Sequence, residues 1–416
     1  MPKFWQGFKA VPSKFAPMAI PGRFTLWSCA GYPRTHHLCK IYAKKMDPRG
    51  DGGGPTSANL EGLHMEFASD NAAGVAPAIL DALVRANAGC AIAYGHDALT
   101  RRLERRFSEV FERDVAVFLV GTGTAANALA LAHLSPPWGA VLCHSEAHAI
   151  AHECGAPEFF GGGLRLVGIE GEAGKLQPRA IAAALERHFG LRPHQIVPAV
   201  LSLTQASECG TVYQIDEIAA LAGLAHERGM AVHMDGARFA NAVARLGATP
   251  AEASWRAGVD VLSFGATKGG ALAAEAVVFF DPARADAMAE RRKRGGHLVS
   301  KHRFIAAQFE AFLADDQWLR LAAHANRMAD RLATHLASVK LPPIWPVEAN
   351  IVFVRLPQAL HERLQDAGAH YYVTHTDRTA PAIVPSSYVL VRLVTSFATT
   401  ESSIDKFVAL VKSMSV

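Results

Sequence analysis

From residue 115 to residue 280, short apolar runs alternate with stretches of helical spacing, and few folds admit that alternation. The runs are VAVFLV (115–120), AVLCH (140–144), LRLVGI (164–169), IVPAVLSLTQ (196–205), MAVHMD (230–235), VLSF (261–264) and AVVFF (276–280). Between most of them lie segments such as TAANALALAHL and IDEIAALAGLAHERG, with apolar residues at helical spacing. Strands alternating with helices predict βαβ units. The expected fold is α/β, a mostly parallel sheet buried on both faces and flanked by helices. After Phe280 the pattern changes to long helices, three shorter strands (NIVFVRL, YYVTHT and YVLVRLVTS) and a helix from about Ser402. That change predicts a large domain over 65–312 and a smaller C-terminal α+β domain over 313–416.

The first 64 residues stand apart. They hold nine Lys/Arg and three Asp/Glu, are rich in Pro and Gly, and show no sustained period. A transit peptide has this basic, acid-poor character. The expectation is instead a disordered leader or a mis-assigned start, with Met65 opening the ordered chain. Removing this segment from the formal +4 leaves 33 basic and 35 acidic residues, so the body offers no nucleic-acid footprint. The run RRKR (Arg291–Arg294) reads as a solvated helix end. No apolar run is long enough to span a bilayer. The six scattered cysteines contain no C-x-x-C pair, which argues for a reducing, cytoplasmic setting without a disulfide framework.

Lys268 is the sole cation of VLSFGATKGGALAAEAVVFF (261–280). An ammonium group among core strands is costly unless it is paired or used in chemistry. In VAVFLVGTGTAANALALAHL a strand runs into glycines and a helix that starts at Thr124. Gly123 and Thr124 are therefore phosphate-binding candidates. The letters also satisfy G-x-G-x-x-A, with Glu146 after the next strand, so a dinucleotide site and a plain strand–helix turn both stay open. In MAVHMDGARFANAV, Asp235 ends a strand and Arg238 follows by three. Such an Asp can hold a proton on a heterocyclic nitrogen, and the Arg can hold a carboxylate or phenolate. A loop ion pair is the ordinary alternative.

A parallel sheet brings Thr124, Asp235 and Lys268 to one edge. A phosphate cradle, a carboxylate for a ring nitrogen and a strand-end lysine form the binding set for pyridoxal 5'-phosphate. His144, His148 and His152 recur every four residues near Cys143 and Cys154. No metal site is expected there, because His144 belongs to the preceding strand. His148 is read as packing flat on a pyridine ring.

EFASDNAAGVAPAILDAL, YGHD, GTGTAAN, AHAIAHECGAPE, HMDGARFANA and SFGATKGG together resemble the low-specificity L-threonine aldolases, fold-type I pyridoxal-phosphate enzymes. The resemblance runs from Glu66 to the C-terminus. It implies a lyase that cleaves β-hydroxy-α-amino acids to glycine and an aldehyde. Lys268 would be the Schiff-base lysine, Asp235 the partner of the pyridine nitrogen, and Gly123 and Thr124 the phosphate site. His148 would stack on the ring, with Arg238 close to the cofactor and Gly269–Gly270 kept narrow beside it. Ser69 and Arg392 would hold the substrate carboxylate. Tyr94 would come from a neighbouring subunit, in a homo-oligomer that is usually a tetramer. The sequence departs from the family at Ala206, Ser207 and Glu208, where Thr-His-Asn is common, and at His96, where an acid is common. Another pyridoxal-phosphate lyase and, from a different class, a nicotinamide-dependent oxidoreductase are the competing readings. The latter leaves Lys268 and DGAR unexplained.

Overall fold

In the computed structural model, residues 65–374 and 387–414 are described. The leader 1–64 and the end of the expected strand YYVTHT (His375, Thr376) lie outside the described residues. Seven of the expected runs form one sheet: β1 (Ala116–Val120), β2 (Gly139–His144), β3 (Arg165–Ile169), β4 (Val197–Thr204), β5 (Ala231–Gly236), β6 (Val261–Gly265) and β7 (Glu275–Phe279). Their order is β1-β7-β6-β5-β4-β2-β3. Neighbours from β6 through β3 are parallel, whereas β7 is antiparallel to both β1 and β6. The reason is length. Only residues 266–274 join β6 to β7, and a parallel crossover needs a dozen or more. β2, β5, β6 and β7 are buried at every position.

The helix Gly123–Leu134 is buried continuously from Ala125 to Ala132. A helix apolar on all sides belongs inside a core, and this one aims its N-terminus past the end of β1. Under β6, Phe264 is fully buried and meets Phe107, Phe239, Phe309 and Trp318 with centroids 5.4–5.9 Å apart.

The smaller sheet, β8 (Ile351–Pro357), β9 (Tyr372–Val373) and β10 (Tyr388–Val394), is antiparallel in the order β8-β10-β9. The helix Gln317–Ser338 serves both cores. Trp318 and Ala322 face the first, and Met328, Leu332 and Leu336 face the second. The segment after Met65 threads between them, with Phe67 N donating to His370 O and Val394 N donating to Phe67 O, both at 2.8 Å. That path delivers Ser69 and Asp70 to the sheet junction. Among the described residues no helix is long and apolar enough to cross a membrane.

Candidate active site

A cavity of about 520 Å³ opens where β4, β5 and β6 end, lined by Gly123, Thr124, His148, Asp235, Arg238 and Lys268 among others. Carboxyl ends of strands are where open α/β sheets bind ligands. A second cavity of about 400 Å³ shares His148, Arg238 and Lys268 and adds Ser69 and Arg392. The structure thus gathers every candidate side chain except Tyr94.

Thr122 caps the helix Gly123–Leu134, its Oγ1 accepting from Ala125 N at 3.1 Å. The helix therefore begins at Gly123, one residue before the expected Thr124. Its first-turn N–H groups have no intrahelical acceptors and lie at the positive end of the helix dipole. A Cβ at Gly123 would meet nothing within 4 Å, so the backbone there borders open space.

Asp235, the penultimate residue of β5, is buried. Its Oδ1 accepts from Ala237 N at 3.0 Å, and its Oδ2 accepts from Asn127 Nδ2 at 2.8 Å. Asn127 Nδ2 also donates to Glu153 Oε1 at 2.8 Å, and the same oxygen meets His148 Nδ1 at 2.9 Å. A chain Asp235–Asn127–Glu153–His148 results. The hydrogen bond that Nδ1 donates to Glu153 raises the His148 pKa against the effect of burial, with Glu208 and Asp235 adding to the rise. Burial, helped by the charge of Asp235, raises Glu153 as well. With Nδ1 engaged, Nε2 is the ring atom left for the cavity. Below Asp235, His233 is wholly buried between Ser202 Oγ and Ser263 Oγ, each at 2.9 Å. Burial lowers its pKa to about 4, so it is neutral.

Arg238 is held more tightly than its sequence suggested. Nε and Nη2 donate to Asp70 Oδ2 and Oδ1 at 2.8 and 3.1 Å, and Asn350 Nδ2 adds a bond to Oδ2 at 3.1 Å. Burial pushes the Asp70 pKa up, but the charges of Arg238 and Lys268 and these hydrogen bonds outweigh it, leaving the carboxyl below its ordinary value. Arg392 leaves β10 with Nη2 donating to Ala68 O at 3.3 Å and its guanidinium 5.4 Å from the Tyr372 ring centroid. Its buried Nε has no partner among the described residues. Ser69 Oγ accepts from Asn71 N at 3.1 Å, which fixes its hydroxyl at the same cavity.

Around Lys268 the two glycines answer to the packing of the core. A Cβ on Gly269 would come within 2.8 Å of the Phe312 ring, and Gly270 adopts φ +120°. They let the lysine turn lie on the aromatic core and reverse direction.

Tyr94 is 46 % exposed, stacks with Lys293 and lines a separate cavity with His96 and Arg292. His144 uses Nε2 on Gly171 O and Nδ1 on Glu146 N. Among the described residues no group of three His, Cys, Asp or Glu side chains has a metal-binding arrangement. In the departing stretch, Ser207 is bonded to Thr211 and Ala173, and Glu208 is the side chain that faces both cavities.

Sequence reasoning missed Asn127, Glu153 and Asp70. Glu153 carried a signal, since it follows His148 by five residues in the same motif. Asn127 carried a fainter one, as the single polar residue in an apolar helical run. Asp70 carried none, because its partner lies 168 positions away.

Residues 66–359 match the model of the β-eliminating lyase family. The low-specificity L-threonine aldolase of Pseudomonas aeruginosa is 47 % identical over 309 residues, spanning 74 % of this chain and 88 % of the relative. That of a Pseudomonas species is 44 % identical over 308 residues with the same coverage. The solved structure of a Leishmania major threonine aldolase superposes with a TM-score of 0.78 at 28 % identity, covering 84 % of this chain and 99 % of that one.

Proposed function

The chain belongs to the β-eliminating lyase family, and on that premise we propose that it cleaves threonine and related β-hydroxy-α-amino acids to glycine and an aldehyde. It is a carbon–carbon lyase of the low-specificity threonine aldolase type, and its cofactor is pyridoxal phosphate. The residues present fit that group. Open space at Gly123 beside a capped helix N-terminus accepts a phosphate. A doubly braced carboxylate, Asp235, suits a protonated ring nitrogen, and Lys268 Nζ would hold the cofactor covalently through its aldehyde carbon. When bound, the cofactor supplies an electron sink for the carbon–carbon bond that breaks.

The chain's own groups do the rest. Asn127 and Ala237 N hold Asp235 in place, so that its charge would keep a proton on the ring nitrogen. Arg392, with its unpartnered Nε, and Ser69 take the substrate carboxylate. His148 Nε2 accepts the β-hydroxyl proton, with Glu153 fixing the tautomer through Nδ1. Glu208 stands where the sequence departs from the family's common Thr-His-Asn and lines both cavities, which supports a shifted preference among aldehydes. The single observation that carries the reading is the convergence of Lys268, Asp235 and the Gly123 helix end on one cavity. The test is release of glycine and acetaldehyde from L-threonine by the cofactor-loaded protein. Pyruvate from serine with no acetaldehyde from threonine would replace this reaction with β-elimination.

Glu153→Gln tests the histidine. The carboxylate favours the imidazolium, so its removal lowers the pKa of His148 and the neutral base persists to lower pH. The acid limb of the kcat/KM profile moves to lower pH, and its maximum falls about 10²-fold, the lower end for a positioned proton-transfer group. An unmoved acid limb assigns the base elsewhere.

The same reading makes the protein a homo-oligomer, with Tyr94 completing a partner's site. Leu80, Val84, Ile92 and Leu272 support it, being 51–67 % exposed large apolar side chains, and Leu272 borders the cavity itself. A cytoplasmic location is supported by free Cys90, Cys143 and Cys154 among the described residues.

A further inference from the structure

β7 carries a carboxyl group that none of these roles uses. Glu275 opens the strand, pairing with Val120 on one side and Gly265 on the other. Val120 is the last residue before the Gly121–Thr124 turn, and Gly265 lies three residues before Lys268. The register therefore sets Glu275 between the phosphate end and the lysine end of the cavity, and it lines that cavity at 6 % exposure. A Cβ on Gly265 would approach Glu275 Oε2 to 2.9 Å, so the carboxyl lies against the end of β6.

The charged groups around it are few. Lys268 faces it from the turn after β6 and Asp235 from the end of β5, while Arg238, His148 and Glu208 line the same cavity. β1 and the first turn of the helix after it bring no titratable side chain. Burial pushes the carboxyl up to about 7, and Asp235 adds to this. Contacts with Thr267 and the charge of Lys268 oppose it.

We propose that Glu275 takes up a proton as pyridoxal phosphate binds and remains a neutral acid in the loaded protein. This rests on the reading of the cavity as a pyridoxal-phosphate site. Three changes on loading favour the acid form. The phosphate brings negative charge to the Gly121–Thr124 turn beside Val120. Lys268 Nζ would cease to be an ammonium group on bonding to the aldehyde carbon, with the carbonyl oxygen leaving as water, so the localised cation that favours the Glu275 anion would be weakened. The cofactor also displaces water from the cavity, which deepens the burial. One proton passes from solvent to the carboxylate.

The sign follows from linkage. Binding that takes up a proton weakens as pH rises, by at most about tenfold per pH unit for one proton. The effect begins above the free-site value of about 7, because below it Glu275 is already protonated.

The experiment measures the pyridoxal-phosphate dissociation constant by equilibrium dialysis from about pH 6 to about pH 9, for the protein and for Glu275→Gln, a permanently neutral isostere. Comparing the two curves isolates the contribution of Glu275, including its coupling to Lys268, from the titrations that both proteins share. The curves are expected to agree below neutral pH and diverge above it, with Glu275→Gln holding the cofactor up to about tenfold tighter per pH unit. Parallel curves, or a variant weaker by one constant factor, would overturn the inference while leaving the cofactor site standing. Failure of both proteins to bind pyridoxal phosphate at any pH would overturn the cofactor reading itself. Calorimetry of the unmodified protein in buffers of differing ionisation enthalpy counts the proton directly. An uptake that does not rise between about pH 6 and about pH 8 counts against the proposal even if the variant does not fold.

Discussion

Lys268→Ala is expected to lower threonine cleavage by roughly 10⁴-fold or more, the scale on which loss of the covalent group of a catalytic unit is felt. The lysine is half-buried on the turn after β6, seated on an aromatic core that does not depend on its side chain. The variant should therefore fold with the stability of the parent. Pyridoxal phosphate would still meet the Gly123 helix end and Asp235, so it would bind without covalent attachment and dialyse away more readily. Measurement of kcat alongside the denaturation midpoint separates the effects. A variant that keeps more than about a tenth of the activity would remove Lys268 from the chemistry.

Arg238→Ala is expected to cost about 3–5 kcal/mol of stability, because it strands a carboxylate in the interior. Asp70 is 3 % exposed and accepts two bonds from the guanidinium. With Arg238 gone, the bond from Asn350 and the nearby Lys268 charge are what remain to it. The double replacement Asp70→Leu with Arg238→Met removes both charges together and should recover most of the loss, since the penalty belongs to the unpaired ion. Denaturant unfolding of the two variants checks this, and equal losses in both would contradict it. The pH dependence has a definite sign. The carboxyl pKa of Asp70 lies below its unfolded value, so its contribution is complete above the ordinary carboxylate range and is lost as pH falls through the lower, folded value. Arg238→Ala should accordingly lose most stability, relative to the parent, at neutral pH and less in strong acid.

The alternation of apolar runs and helices was enough to read the sheet, because strands buried on both faces must be apolar almost throughout. The same property hid the direction of β7, since a buried antiparallel strand looks no different. The shortness of 266–274 held that information and went unread. Lys268, Asp235 and Gly123 were legible because each breaks its local pattern: a cation among strands, an acid at a strand end, a glycine before a helix. Arg238 was visible, but its engagement with Asp70 was not, for that pair closes across 168 positions. Asn127 links Asp235 to Glu153 over separations of 108 and 26 residues, which no local period encodes. Gly269 and Gly270 were read as room for a ligand. In the folded chain they lie against Phe312, Ala76 and Phe397, contacts that only the folded core supplies.

Borohydride reduction of the protein loaded with pyridoxal phosphate, followed by peptide mass mapping, tests the central claim most directly. The account predicts a pyridoxyl group fixed on the peptide containing Lys268 and on no other lysine, with threonine cleavage lost in step with the modification. A pyridoxyl group on a different lysine, or cleavage that survives reduction with Lys268 unmodified, would contradict it.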